Sequence, residues 1–129
     1  VSIVEATFAA AVERGLRRPL LLGTRTIVES PMYPERFAAG GIDAVLPDEE
    51  GRQLLNRAIY TELAVGEARP ETRLALLGLC RDAVEQRGAD GVILACTELP
   101  LVLADGDLEV PVLDTARVHV ESILDRAMA

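Results

Sequence analysis

The stretch from Gly91 to Pro100 most constrains how this chain can fold. Five apolar or small residues, Gly91–Ala95, run without a break and are followed at once by Cys96, Thr97 and Glu98. A short continuous apolar run is typical of a strand buried on both faces of a parallel sheet. Ligands of such sheets bind beyond the carboxyl ends of the strands, so Cys96 stands where an α/β protein places its chemistry. The plainer interpretation is a buried cysteine that ends a core strand, since free Cys is among the most buried residue types.

Three further apolar runs predict strands, and helical patterns alternate with them. The strands are expected at 19–23, 42–46 and 110–113, and the helices at 2–14, 30–39, 48–65, 71–87 and from 114 onward. Strands that alternate with helices indicate βαβ units and a parallel sheet. The sequence therefore predicts an α/β fold, a Rossmann-like three-layer sandwich with a mostly parallel four-stranded sheet and helices on both faces.

Composition and charge exclude several classes of protein. The net charge of -8 argues against nucleic-acid binding, which needs a basic face. All 13 basic residues are Arg, so the chain offers no Lys for a Schiff base with pyridoxal phosphate. No apolar run approaches the roughly 18 residues that a membrane span requires. Two cysteines and no apparent signal segment argue against a disulfide scaffold. We therefore expect a soluble, cytoplasmic protein that binds neither nucleic acid nor membrane.

Polar residues follow three of the predicted strands. They are Thr24-Arg25-Thr26, Cys96-Thr97-Glu98 and Asp114-Thr115. If the strands are parallel, the three groups share one edge of the sheet, which favours a ligand site there. The hydroxyls of the first group and the amides of the next helix can hold a carboxylate, although an ordinary Thr-capped turn accounts for them equally well. Cys80 lies on the apolar stripe of a helix and is interpreted as core filling.

Four segments together resemble the aspartate/glutamate racemase family. The most specific pair is 92–100, which reads Val-Ile-Leu-Ala-Cys-Thr-Glu-Leu-Pro, and 110–119, which reads Val-Pro-Val-Leu-Asp-Thr-Ala-Arg-Val-His. The segments 22–26 and 44–48 also look like that family. The resemblance extends over essentially the whole chain.

The resemblance implies an amino-acid racemase that needs neither cofactor nor metal. Two cysteines face each other across the substrate α-carbon, and Cys96 matches the second of them. The resemblance assigns substrate binding to Thr97, Glu98, Thr24 and Thr26, and a supporting role to His119, Asp114 and Thr115. The substrate would be a small acidic amino acid or dicarboxylate. Arg25 and Arg117 are candidates for its second carboxylate, although exposed arginines are more often solvated.

The chain departs from the family in one respect. The first catalytic cysteine belongs to an earlier Cys-Asn-Thr-type motif in a first α/β half, and no such motif occurs here. Cys80 is in the middle of a predicted helix and does not replace it. The resemblance implies that 1–114 is one α/β domain like the second half of a racemase. It also implies that 115–129 is a C-terminal helix that packs on the missing N-terminal half, and homodimers are common in the family. By this reading the chain alone lacks one catalytic cysteine.

Two other functions stay open from the sequence. One is a related isomerase or decarboxylase of small dicarboxylates, of the maleate isomerase or arylmalonate decarboxylase type. The other is a catalytically incomplete relative that only binds a ligand.

Overall fold

A computed structural model describes residues 2–128 of the chain. Short 3-10 helices at Leu63–Val65 and Leu99–Leu101 accompany the main elements. The main elements, in chain order, are α1 (Ile3–Glu13), β1 (Pro19–Leu22), α2 (Arg25–Glu29), α3 (Met32–Ala39), α4 (Glu49–Thr61), α5 (Pro70–Arg87), β2 (Gly91–Leu94), β3 (Val112–Asp114) and α6 (Thr115–Met128).

The three strands form one parallel sheet with β2 in the centre. The order is β1-β2-β3, and the last residue of β2, Leu94, pairs with Leu22 of β1 and with Asp114 of β3. The carboxyl ends of all three strands therefore meet at one edge. Because β2 is central, the residues that follow it are flanked by the ends of both neighbours.

The predicted fourth strand at 42–46 is not found among the described residues. That segment makes a single bridge, between Leu20 and Val45, at the outer side of β1. The Val45 amide donates to the Pro19 carbonyl at 2.8 Å. The segment follows Gly41, whose φ is +82°, and ends at Pro47, which has no amide hydrogen for a ladder. The predicted four-stranded sheet is thus a three-stranded sheet with a bridged edge segment.

Alternate residues of each strand point to opposite faces of the sheet, and both faces are covered. Leu20, Leu22, Val92, Leu94 and Val112 belong to one apolar cluster, which includes Leu55 and Ile59 of α4 and Leu76, Leu77 and Cys80 of α5. Leu21, Ile93 and Leu113 belong to a second cluster, with Val4 and Ala11 of α1 and Tyr33 and Phe37 of α3. The period of two residues in a strand produces this division. Helices therefore cover both faces, as the continuous apolar runs predict.

Local signals place the ends of the helices. The Ser2 hydroxyl caps α1, and the Asp48 carboxylate caps α4 by accepting from the Gly51 amide at 2.9 Å. Pro70 occupies the first turn of α5, where its missing amide hydrogen costs nothing. The helix expected at 48–65 ends at Thr61 and gives way to the 3-10 helix Leu63–Val65.

Helix α6 packs against α1 and leaves one apolar side exposed. Val120, Ile123, Leu124 and Met128 are 47–85% exposed and recur at helical spacing. Within residues 2–128, no helix combines the length and the apolar character that crossing a bilayer demands.

Candidate functional site

Cys96 lies two residues beyond the last residue of β2, at the centre of the edge where the strands end. Its side chain is partly exposed. Its thiol donates a hydrogen bond to Oε2 of Glu98, with Sγ and Oε2 2.9 Å apart. Burial raises the pKa of the Cys96 thiol, and the hydrogen bond to Glu98 raises it further. The proton is therefore held on the sulfur in this arrangement.

The Glu98 carboxylate accepts hydrogen bonds from both residues that precede it, Cys96 and Thr97. Its Oε2 also accepts a hydrogen bond from the Thr97 hydroxyl, at 2.9 Å. The donors on Cys96 and Thr97 lower the pKa of the Glu98 carboxyl, so the carboxylate is the charged partner. Glu98 accepts a hydrogen bond from Cys96 in this structure. The sequence predicted a substrate-binding role for Glu98 and did not predict this contact.

The backbone after Cys96 opposes the effect of the carboxylate. The backbone amides of Glu98 and Leu99 lie near the Cys96 side chain and lower the pKa of the thiol. They lie where the chain turns into the 3-10 helix Leu99–Leu101, and the Leu99 amide also donates to the Cys96 carbonyl at 3.3 Å. Amides that point at a sulfur stabilise its thiolate form. The loop thus carries both a thiolate-stabilising group and a carboxylate that keeps the thiol protonated.

The end of β1 lies directly beside the end of β2. The Ala95 amide donates to the Leu22 carbonyl at 2.8 Å, which joins the two strand ends. A Cβ at Gly23 would lie 3.1 Å from a methyl carbon of Ile27 and 3.5 Å from the Ala95 carbonyl oxygen, so glycine allows the close approach. Thr24 immediately precedes α2, and its partly exposed side chain makes no cap hydrogen bond. Thr26 is exposed on α2.

The polar side chains at the end of β3 and the start of α6 form hydrogen bonds with nearby backbone groups. Asp114 Oδ1 accepts from the Ala116 amide at 3.0 Å and from the Arg117 amide at 3.3 Å, so it caps α6. The Thr115 hydroxyl is buried and donates to the Leu94 carbonyl at 3.0 Å. His119 is partly buried one turn later in α6. Asp114 and Thr115 thus fasten the start of α6 to the end of the central strand.

Arg25, one of the two candidates for a substrate carboxylate, is already bound to two acids. Its guanidinium contacts Glu49 at 2.8 and 2.9 Å and Glu29 at 3.0 Å. The hydrogen bonds with Arg25 lower the pKa of Glu49 to about 2. Arg117, the other candidate, is exposed and pairs with Glu121 at 3.1 Å. The site therefore holds neither guanidinium ready for a ligand in this arrangement.

Sequence reasoning missed a buried polar cluster below the site. Tyr33 is 3% exposed, and its hydroxyl lies close to the side-chain hydroxyls of Thr7 and Thr115. Burial raises the pKa of Tyr33. Thr7 is completely buried on the otherwise apolar inner side of α1. In the sequence, this single hydroxyl among Ala and Val residues was the available signal for the cluster, because a buried polar group needs hydrogen-bond partners.

The remaining features do not include the Cys96 thiol. A cavity of about 360 Å³ beside β3 is lined by Arg14, Asp105 and Arg117 among others, and Cys96 is not part of its lining. Cys80 is fully buried in α5, and burial raises its pKa to about 12. In the part of the chain that the structure describes, no group of three or more His, Cys, Asp or Glu residues is arranged to hold a metal ion.

Comparisons with known proteins agree on one family. The model of the Asp/Glu/Hydantoin racemase family matches residues 1–123. A structure of an aspartate racemase homologue from Pyrococcus horikoshii OT3 is 36% identical, with a TM-score of 0.94 over 100% of this chain and 56% of that one. A Yersinia pestis structure assigned to the Asp/Glu racemases is 34% identical, with a TM-score of 0.91 over 98% of this chain and 55% of that one.

A curated relative is also matched over only part of its length. A protein of uncharacterised function from the region 3' of pnlA in Pectobacterium carotovorum subsp. carotovorum is 30% identical over 103 residues. The match includes 80% of this chain and 67% of that protein. The chain spans about half the length of the solved structures that it matches.

Proposed function

This chain belongs to the Asp/Glu/Hydantoin racemase family, and from that premise we propose that it provides one side of a cofactor-independent racemase active site for acidic amino acids. The observation that carries the proposal is the Cys96 thiol. It stands at the carboxyl end of the central strand, partly exposed and hydrogen-bonded to a carboxylate. A thiol in that position can exchange a proton with a ligand held at the edge of the sheet.

The proposed reaction moves one proton on each face of the substrate. A thiolate on the opposite side takes the α-proton, which breaks the C–H bond and leaves an electron pair on the α-carbon. Cys96 then gives its S–H proton to the other face and becomes a thiolate. The product is the other enantiomer, and the reverse reaction exchanges the two roles. Hydroxyls and amides at the ends of β1 and β2, among them Thr24, are proposed to stabilise the charge on the substrate carboxylate.

The opposite thiol is proposed to belong to the part of the full-length protein that matches the rest of the solved structures. Cys80 cannot serve, since it is fully buried in α5 and its pKa is raised to about 12. The exposed apolar side of α6, with Val120, Ile123 and Leu124, is the surface that we propose packs against that other half.

Proton exchange in heavy water tests the proposal. Full-length protein is incubated in D2O with L- or D-aspartate and with L- or D-glutamate, and deuterium at the α-carbon and the enantiomer ratio are followed. We expect exchange and racemisation with at least one of the two amino acids. Cys96→Ser should abolish both, while Cys80→Ala, a matched loss of one thiol, should retain them in the folded protein. Unchanged racemisation by Cys96→Ser would exclude the role assigned to Cys96.

The burial of Cys80 also favours a second candidate, a module that binds a ligand without turnover. With Cys96 as the one accessible thiol of the described chain, the 129 residues alone would bind an acidic ligand without exchanging its α-proton. Binding with no exchange by the full-length protein would support this function. Turnover of maleate or of an arylmalonate, measured on the same samples, would instead indicate a related isomerase or decarboxylase.

A further inference from the structure

One carboxylate oxygen collects two donors beside the proposed catalytic thiol. Glu98 Oε2 lies 2.9 Å from Cys96 Sγ and 2.9 Å from Thr97 Oγ1. Both are side-chain donors from the two residues that precede it, so the arrangement is built within one short turn. An oxygen that accepts a hydrogen bond from a thiol competes with any ligand group for the thiol proton.

The groups around the Cys96 sulfur decide whether the thiol keeps its proton. The carboxylate of Glu98 lies close enough to repel a thiolate and to accept from a thiol, and both effects act against ionisation of Cys96. The amides of Glu98 and Leu99 act in the opposite direction, and partial burial disfavours the thiolate. Removal of the carboxylate would leave the amides as the specific partners of the sulfur.

The charged groups on the neighbouring elements are engaged elsewhere. Arg25 on α2 is bound to Glu49 and Glu29. At the start of α6, Asp114 accepts from two backbone amides, and Arg117 is paired with Glu121. Glu98 is therefore the charged side chain in contact with the thiol.

We propose that Glu98 is a positioning residue that holds the Cys96 side chain as a protonated, oriented S–H donor in the resting protein. This inference rests on the proposed function for its purpose, because a two-base racemase needs one thiol protonated while the other is ionised. It assigns the donor state at rest to Cys96 and the acceptor state to the opposite thiol. Thr97 assists by fixing the carboxylate oxygen.

Alkylation of the 129-residue chain by iodoacetamide tests this without any substrate. The thiolate sulfur forms a bond to the CH2 carbon and iodide leaves, so the rate follows the thiolate fraction. Peptide mass mapping separates Cys96 from Cys80, which is buried and stays unlabelled in the folded chain. The rate is measured from about pH 6 to pH 10, which spans the usual range of thiol ionisation.

The sign is fixed by the structure. Glu98→Gln removes the charge and should move the inflection of the Cys96 rate profile to lower pH. At neutral pH the rate should rise about three- to tenfold, the effect of losing a charge-assisted hydrogen bond in a partly exposed pair. Glu98→Asp keeps a carboxylate and should return the inflection toward that of the parent chain. Glu109→Gln, an equal change on an exposed loop, should leave it unmoved.

The outcomes separate this inference from the proposed function. An inflection that stays in place or rises in Glu98→Gln, in a chain whose Cys80 remains unlabelled, would overturn the inference and leave the racemase proposal standing. Labelling of Cys80 in Glu98→Gln would show that this variant unfolds, and the Glu98→Asp variant then provides the test. Because Glu98→Asp keeps a carboxylate, an inflection far below that of the parent chain would overturn the inference. Racemisation by Cys96→Ser would instead refute the proposed function while the Glu98 effect on alkylation remained.

Discussion

Thr115→Val should lower the free energy of unfolding of the chain, because it removes one buried hydroxyl group. The Thr115 side chain is 4% exposed, donates to the Leu94 carbonyl at 3.0 Å, and lies close to the buried Tyr33 hydroxyl. Valine has nearly the same shape as threonine but lacks the hydroxyl, so little cavity is created and the loss comes mainly from the missing hydrogen bond. A buried partner left without its hydrogen bond costs about 1–3 kcal/mol. Tyr33 keeps Thr7 as a partner, which places the expected loss at about 1–2 kcal/mol.

The predicted loss is large enough to measure by thermal unfolding. For a chain of this length, 1 kcal/mol corresponds to about 4 °C, so the Tm should fall by about 4–8 °C. Far-UV circular dichroism on heating and a urea titration give two independent values. Thr26→Val is the matched control, because Thr26 is exposed on α2 and its hydroxyl is solvated. Equal Tm values for Thr115→Val and Thr26→Val would refute the argument that the hydroxyl links α6 to the central strand.

Two further changes test the helices. Replacing the exposed Ile123 and Leu124 of α6 by Gln should reduce self-association of the chain in sedimentation velocity, because apolar side chains left uncovered drive contact between copies; an unchanged distribution of species would contradict this use of the α6 surface. Gly78→Ala, in the middle of α5 where an added Cβ meets nothing within 4 Å, should raise the free energy of unfolding by about 0.5–1 kcal/mol through helix propensity. Gly51→Ala, whose Cβ would lie 2.8 Å from a methyl carbon of Leu79, is its counterpart, and a larger gain there than at Gly78 would contradict the steric reasoning.

The fold class could be predicted because its signals are local. The runs at 19–22 and 91–94 are apolar at every position, and both are strands buried on two faces. Helix signals were equally local, as with the capping side chains of Ser2 and Asp48. The edge segment at 42–46 is also mostly apolar, but it contains the exposed Asp43 and makes only a bridge. The backbone around Gly41 and Pro47 limits how much of it can pair with β1.

The position of the candidate site could be predicted for a similar reason. In a parallel sheet the carboxyl ends of the strands lie together whatever the order of the strands, so Gly23, Ala95 and Asp114 had to approach one another. The roles of individual polar residues did not follow in this way. Asp114 caps a helix, and Thr115 bonds a carbonyl of the central strand.

The sequence by itself determined a parallel α/β fold with Cys96 at the end of a buried strand. Hydropathy period and turn residues are properties of neighbouring positions, and they specify most of the segments that form strands and helices. Only the tertiary structure decided that Arg25 is occupied by Glu49, that Tyr33 and Thr7 join Thr115 below the site, and which proton Glu98 accepts. Those relationships depend on distances of about 3 Å between side-chain atoms. Such distances follow from packing and from competition among several partners, and spacing along the chain does not contain them.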